Sequence, residues 1–214
     1  MQITGDYQAD GYAFVEEFIP REVANALVQQ LELDLKAAGQ SFDKFAQKLD
    51  LMNKPTVEIS GHHYRPLLTF LWGLTPIVSK LTGRDLLPSY DYFRIYSAGD
   101  ILRVHSDRPS CEHSASLTLF YSDGKPWPLD MGTERIEGPD YLKDAFGDEP
   151  HTSLSMMPGD AVIYQGVNHR HGRGTPNPNK WSAHLFLHWV DRDGPHAEHA
   201  FDAKQLAAVA AGTA

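Results

Sequence analysis

The chain has one cysteine, Cys111, in 214 residues. An internal disulfide is therefore excluded, and a reducing, cytoplasmic setting is the expectation. The opening stretch, residues 1–10, shows neither the basic segment nor the apolar core of a secretion signal. No apolar run reaches the roughly 18 residues that a membrane-spanning helix requires, because Pro, Gly or a charged residue interrupts each one. Positive charge is scarce too: 19 Lys and Arg stand against 28 Asp and Glu, a net charge of −9, with a pI near 5.6. Nucleic acid and anionic lipid require clustered cations, so neither is an expected partner. A small molecule or a peptide remains, and an acidic surface favours a small or cationic one. There is no internal repeat and no low-complexity tract.

What is present falls into two textures. Residues 11–20 mix aromatic and β-branched residues between Gly and Pro, the pattern of a short strand closing on a turn. Residues 21–39 then place Val23, Leu27, Leu31 and Leu35 at helical spacing, with Gly39 as the stop signal. Phe42 to Leu51 is read as helical on weaker patterning. The run 65–83 is a second amphipathic helix ending at Gly83, which Pro76 is expected to kink or divide. From Leu86 onward short apolar or alternating runs alternate with Gly, Pro, Asp and Asn clusters: 86–96, 101–105, 114–121, 153–157, 161–165 and 182–190. Six such runs predict a mainly β protein, a sandwich or barrel-like jelly roll with the two N-terminal helices packed outside. At this length one domain is expected, with helical support over 1–85, a β core over 86–192 and a tail over 193–214. The gap from Lys125 to Pro150 is long enough to be functional or disordered, and a lid over a substrate is one use for it. The tail carries an Ala-rich helical piece expected to fray.

The chemistry centres on His105-Ser106-Asp107. Residues two apart on a strand share a face, so this run presents an imidazole and a carboxylate to one point. Two His and one carboxylate with open positions opposite suit non-haem Fe(II) and oxygen chemistry. With 11 His in the chain, His-x-Asp alone is weak; His169 and His171, following a β-like run far downstream, offer the second imidazole. Lys180 opens the next strand and would set a cation near the metal, where it would hold the far carboxylate of a chelating dicarboxylic acid. The other candidates have plainer readings: His62 and His63 as surface residues, His113, His184 and His188 as hydrogen-bonded strand residues with His184 able to face the cleft, Arg108 and Glu112 as a structural ion pair or as residues that reach the substrate, Cys111 as a small buried residue, and Trp127 as core or a lid contact.

Several segments together resemble the Fe(II)/2-oxoglutarate-dependent dioxygenases, most closely the prolyl-4-hydroxylase-like branch. They are the entry Phe18–Val23, the strand Arg94–Gly99, the run His105–Glu112, Trp127–Leu129, Pro158–Tyr164 and Phe186–Asp191. The resemblance implies a double-stranded β-helix, a cupin-like barrel, that uses Fe(II), dioxygen and 2-oxoglutarate as co-substrate to hydroxylate an amino acid, a peptidyl residue or a small metabolite. It implies His105 and Asp107 as metal ligands and, by spacing from Gly166 to Arg173, His171 as the third, with His169 as the rival. It selects Lys180 as the 2-oxoglutarate anchor, Arg173 being the alternative because guanidinium pairs a carboxylate bidentately, and Tyr96 as a hydroxyl on the same carboxylate. Two other readings compete. A non-catalytic metal-binding barrel would have no use for Lys180, and a zinc hydrolase would need a further carboxylate as base, for which Glu112 is the one candidate near the ligand strands.

Overall fold

The computed structural model describes residues 1–138 and 142–210. A short strand β1 (Gln2–Thr4), a one-turn helix α1 (Tyr7–Asp10) and β2 (Tyr12–Glu16) lead into α2 (Arg21–Ala37). Strands β3 (Ala46–Gln47) and β4 (Thr56–Ser60) precede α3 (Arg65–Thr82). Then come β5 (Leu86–Ser97), β6 (Leu102–His105), β7 (His113–Tyr121), β8 (Leu129–Arg135), β9 (Leu142–Lys143), β10 (His151–Leu154), β11 (Ala161–Tyr164), β12 (His169–Arg173) and β13 (Trp181–Asp191). A short helix α4 (Ala203–Ala210) follows. The strands form two antiparallel sheets, one ordered β1-β2-β11-β7-β13-β5-β4-β3 and the other β10-β8-β12-β6-β9. This is the predicted jelly roll, mostly β with few helices.

Strand parity explains how the larger sheet serves two purposes. On β7 and β13 the odd positions Ala115, Leu117, Leu119, Ala183, Leu185, Leu187 and Trp189 join the main hydrophobic cluster with residues of α2 and α3. The even positions Ser114, Ser116, Thr118, Ser182, His184 and His188 are buried as well, but they belong to the opposite face. The helices thus seal one side of the sheet, and its polar side faces the smaller sheet across the barrel interior.

The helix α2 buries Ala24, Val28, Leu31 and Leu35, while Val23 is exposed. The seam is therefore turned by one residue at its start from the expected stripe. The helix α3 buries Leu67, Leu71, Leu74, Val78 and Thr82 and runs unbroken through Pro76, against expectation. Pro76 is exposed and so is Trp72, whose carbonyl would otherwise accept the missing N–H. That carbonyl lies on the wet side, where water substitutes for the lost bond. The expected helix over Phe42 to Leu51 is not formed: Phe42–Phe45 makes one 3-10 turn with no side-chain cap, and the chain then joins a sheet edge as β3. Phe42 and Phe45 pack on the main core, whereas Leu49 and Met52, which continue their spacing, pack on a separate cluster, so the apolar residues do not share one helical seam.

The strand expected at 153–157 ends earlier, at Leu154. Residues 125–150 are not a simple lid. They contain β8, which lies between β10 and β12 with Leu129 and Met131 fully buried; residues 139–141 lie outside the described set. The end of the tail, 211–214, does too, and no helix among the described residues is long and apolar enough to cross a membrane.

Candidate metal centre

Antiparallel pairing sets His171 of β12 directly opposite His105 of β6. Asp107 follows two residues after the end of β6, and its N–H donates to the Gly166 carbonyl at 2.8 Å, which ties the carboxylate-bearing turn to the segment leading into β12. The donor atoms of His105, Asp107 and His171 all lie within 4.8 Å of one another. Asp107 Oδ1 stands 3.6 Å from His105 Nε2 and 3.5 Å from His171 Nε2. The three come from two strands and a turn, and the pairing alone brings them together.

Both imidazoles are oriented by backbone. His105 Nδ1 lies 2.7 Å from the Arg103 carbonyl and His171 Nδ1 lies 3.0 Å from the His169 carbonyl. A carbonyl only accepts, so each Nδ1 carries a hydrogen, and each Nε2 is the atom aimed at Asp107 and available to ligate once it is free of a proton. Asp107 Oδ2 accepts from Ser114 Oγ at 3.3 Å. Burial opposes ionisation of Asp107, but the charge of His171 and the hydrogen bonds from both imidazoles outweigh it and hold the carboxyl well below its usual range. Burial likewise opposes charge on His171, yet Asp107 raises its pKa; His105 is lowered by burial and by His171. Two imidazoles and a carboxylate converging on one point are a donor set that suits a divalent ion of the first transition row.

His169 does not join them. Its ring is buried with Nδ1 3.2 Å from the Gly132 carbonyl, edge-on to Tyr12, and it fills the space where a Cβ on Gly11 would stand. On β12 both rings lie on one side, His171 against Tyr164 and His169 against Tyr12, the cross-strand partner of Tyr164, so it is the step along the strand that takes His169 away from the triad.

A cavity of about 420 Å³ opens over the triad, lined by His105 and Asp107 together with Tyr92, Arg94, Glu58 and Arg108 among others. Deeper lies a layer of buried cations. Arg94 Nε donates to Glu58 Oε2 at 3.1 Å and its Nη1 to the Tyr96 hydroxyl at 3.2 Å. Arg173, 0% exposed, donates to the Trp127 carbonyl and lies 4.9 Å over that indole ring. Its Nε, buried, has no hydrogen-bond partner. Between the two, His184 is kept well below its usual pKa by burial and by the charges of Arg173 and Arg94. Lys180 stands apart from this layer. It is exposed, and its own backbone N–H is held by Asp123 at 2.7 Å, so the cation expected from its spacing is at the rim of the barrel. Tyr96 is fully buried and packs against Trp127 and His184.

Arg94 was missed because its strand reads as ordinary sheet; the one available signal was Tyr92, Arg94 and Tyr96 at period two on a single face. Other assignments sort plainly. Arg108 and Glu112 do not pair with each other: Arg108 lies 4.4 Å over the Tyr90 ring, and Glu112 accepts the Asp191 N–H at 2.9 Å. His113 sits between Tyr7 and Asp191, and His62 pairs with Asp202 at 3.2 Å. Cys111 is buried, and burial pushes its thiol pKa up. Trp127 is core.

No family model and no curated protein sequence matches the chain. Solved structures do. The non-haem α-ketoglutarate-dependent carbocyclase SnoK from nogalamycin biosynthesis superposes with a TM-score of 0.64 at 11% identity, over 87% of this chain and 82% of that one. A Pseudomonas putida prolyl-4-hydroxylase gives 0.56 at 16%, over 88% and 96%. EctD from S. alaskensis with bound Fe gives 0.56 at 15%, over 86% and 74%. The fold is that of the 2-oxoglutarate/Fe(II) oxygenases, a jelly-roll double-stranded β-helix. At such identities the likeness defines architecture, and the chemistry of this chain has to be argued from its own residues.

Proposed function

We propose that this chain is an Fe(II)- and 2-oxoglutarate-dependent oxygenase, a single catalytic domain that hydroxylates a small molecule or a peptidyl residue. The observation that carries the reading is the convergence of two backbone-oriented imidazole Nε2 atoms and Asp107 on one point, at the floor of a cavity whose deeper wall holds buried arginine. When bound, iron with 2-oxoglutarate and dioxygen supplies oxidative decarboxylation to succinate and CO2 and the oxidation of a substrate C–H bond.

The chain's own part is positional. His105, Asp107 and His171 hold the metal on one side and leave the cavity side open. Arg94 and Tyr96, joined by a hydrogen bond, offer a cation and a hydroxyl to the distal carboxylate of 2-oxoglutarate, and Arg173 with its unpartnered Nε adds charge to the same interior layer. This assignment replaces Lys180, which has no path into that layer from the rim. Neutral His184 between the arginines adds no competing charge, and the stacked Tyr92 and Phe186 rings, 4.8 Å apart, wall off solvent.

A zinc hydrolase would need a free carboxylate beside the triad. Glu112 is bound to the Asp191 backbone and Glu58 to Arg94, so neither supports that alternative. The test is succinate formation from 2-oxoglutarate by protein loaded with Fe(II), with and without a panel of amino acids, peptides and small metabolites. Turnover that requires iron and is abolished in His105→Ala and His171→Ala is expected; succinate release that persists in both variants would refute the assignment.

A further inference from the structure

The mouth of the metal cavity carries a cation that neither the ligand set nor the arginine layer uses. Arg108, the residue after Asp107, is exposed yet fixed in place. Its guanidinium lies 4.4 Å over the Tyr90 ring, and its Nε approaches the Tyr90 hydroxyl at 3.3 Å. Tyr90 is itself stacked on His188 at 4.6 Å, so the arginine rests on a rigid buried column. Among the described residues no carboxylate forms an ion pair with it, and Asp202, whose charge it feels, is engaged by His62. A guanidinium held through Nε leaves both Nη groups as a preset fork for a planar anion.

The rest of the lining limits what that anion belongs to. Leu49, Leu51 and Tyr92 give the mouth an apolar side, while Asp50 and Glu58 border the same cavity and would repel a dianion. We infer that the cavity is built for a small substrate with an apolar body and one carboxylate, and that Arg108 is the specificity residue that binds this carboxylate. The inference rests on the oxygenase reading, since it assigns 2-oxoglutarate to the deep arginines and the substrate to Arg108. It also departs, at the site, from what the overall charge of −9 suggests: at the mouth Arg108 offers an anion a guanidinium without a carboxylate ion-pair partner among the described residues.

The experiment is anaerobic native mass spectrometry of the full chain with Fe(II) and 2-oxoglutarate, offered free amino acids and short-chain carboxylic acids, each beside its primary amide. The wild type is expected to retain acids over matching amides by roughly ten- to a hundredfold, the range of a charge-assisted hydrogen-bonded pair. Arg108→Gln is expected to lose that preference, Arg108→Lys to keep part of it, and the 2-oxoglutarate affinity of both to stay within about twofold. Amides retained as well as acids, no acid retained at all, or an acid preference that survives Arg108→Gln would each overturn the inference. So would a loss of 2-oxoglutarate from Arg108→Gln, which would make Arg108 the co-substrate anchor. Absence of Fe(II) and 2-oxoglutarate adducts in the wild type would sink the oxygenase reading itself, an outcome visible separately in the same spectra.

Discussion

His105 and His171 are cross-strand partners in the smaller sheet, with ring centroids 4.4 Å apart. The pairing makes one strand's register the determinant of the metal site. A slip of one residue in β12 would turn His171 to the other face and dismantle the site, with no change in composition.

The same register separates the two candidate histidines. His171→Ala is expected to lower divalent-metal affinity by more than a hundredfold, since it deletes a ligand outright, where loss of an outer hydrogen-bond partner costs about 10–100-fold. His169→Ala keeps the backbone carbonyl that holds His171 Nδ1 and should lose less metal affinity than even that smaller range, while losing about 1–3 kcal/mol of stability through the gap opened beside Gly11. Cobalt or iron titration together with urea denaturation separates the two effects.

Gly166 is packed against the ligand. A Cβ there would collide with Asp107 Oδ2 and come within 2.6 Å of the Cys111 carbonyl. Gly166→Ala is expected to destabilise the fold by about 1–3 kcal/mol and to weaken metal binding by displacing Asp107. Metal affinity close to wild type in a folded Gly166→Ala protein would show that the turn has room to move.

The co-substrate anchor is tested by the arginines against the lysine. Arg94→Gln, made with Glu58→Gln so that no carboxylate is left buried alone, should reduce 2-oxoglutarate affinity by roughly ten- to a hundredfold. Lys180→Ala should leave it within about twofold. The reverse order in an equilibrium binding assay would return the anchor to the rim.

Asp91 governs a pH dependence remote from the metal. Both carboxylate oxygens are buried without a hydrogen-bond partner, and burial raises its pKa to about 7. The folded state therefore holds this proton more tightly than the unfolded chain, and the stability it confers is present in full below pH ~4 and is lost as pH rises to about 7. Asp91→Asn should flatten that slope, by a few kcal/mol across the window, in denaturation curves measured from acid to neutral pH.

The His105–Asp107 pair was legible because its chemistry is written locally: His-x-Asp marks one strand end whatever surrounds it, and the polar even positions of Ser114, Ser116, Thr118 and of Ser182, His184, His188 belong to a sheet with two buried faces. β8 was not legible. Its residues Leu129 to Arg135 include few β-formers and end in charge, and the neighbours β10 and β12 impose the strand. The exposure of Lys180 was not legible for a related reason. Counting from a histidine gives distance along the chain, whereas access to the barrel interior depends on where the strand begins relative to the rim.

The sequence by itself determined the class of architecture, the His105–Asp107 pair and the two histidines offered as its partner, since hydrophobic period and residue chemistry are properties of short segments. Only the tertiary structure decided that His171 stands opposite His105 while His169 packs against Tyr12, and that Arg94 and Arg173 occupy the interior while Lys180 faces water. Those choices rest on cross-strand register, which arises only when strands distant in the chain pair.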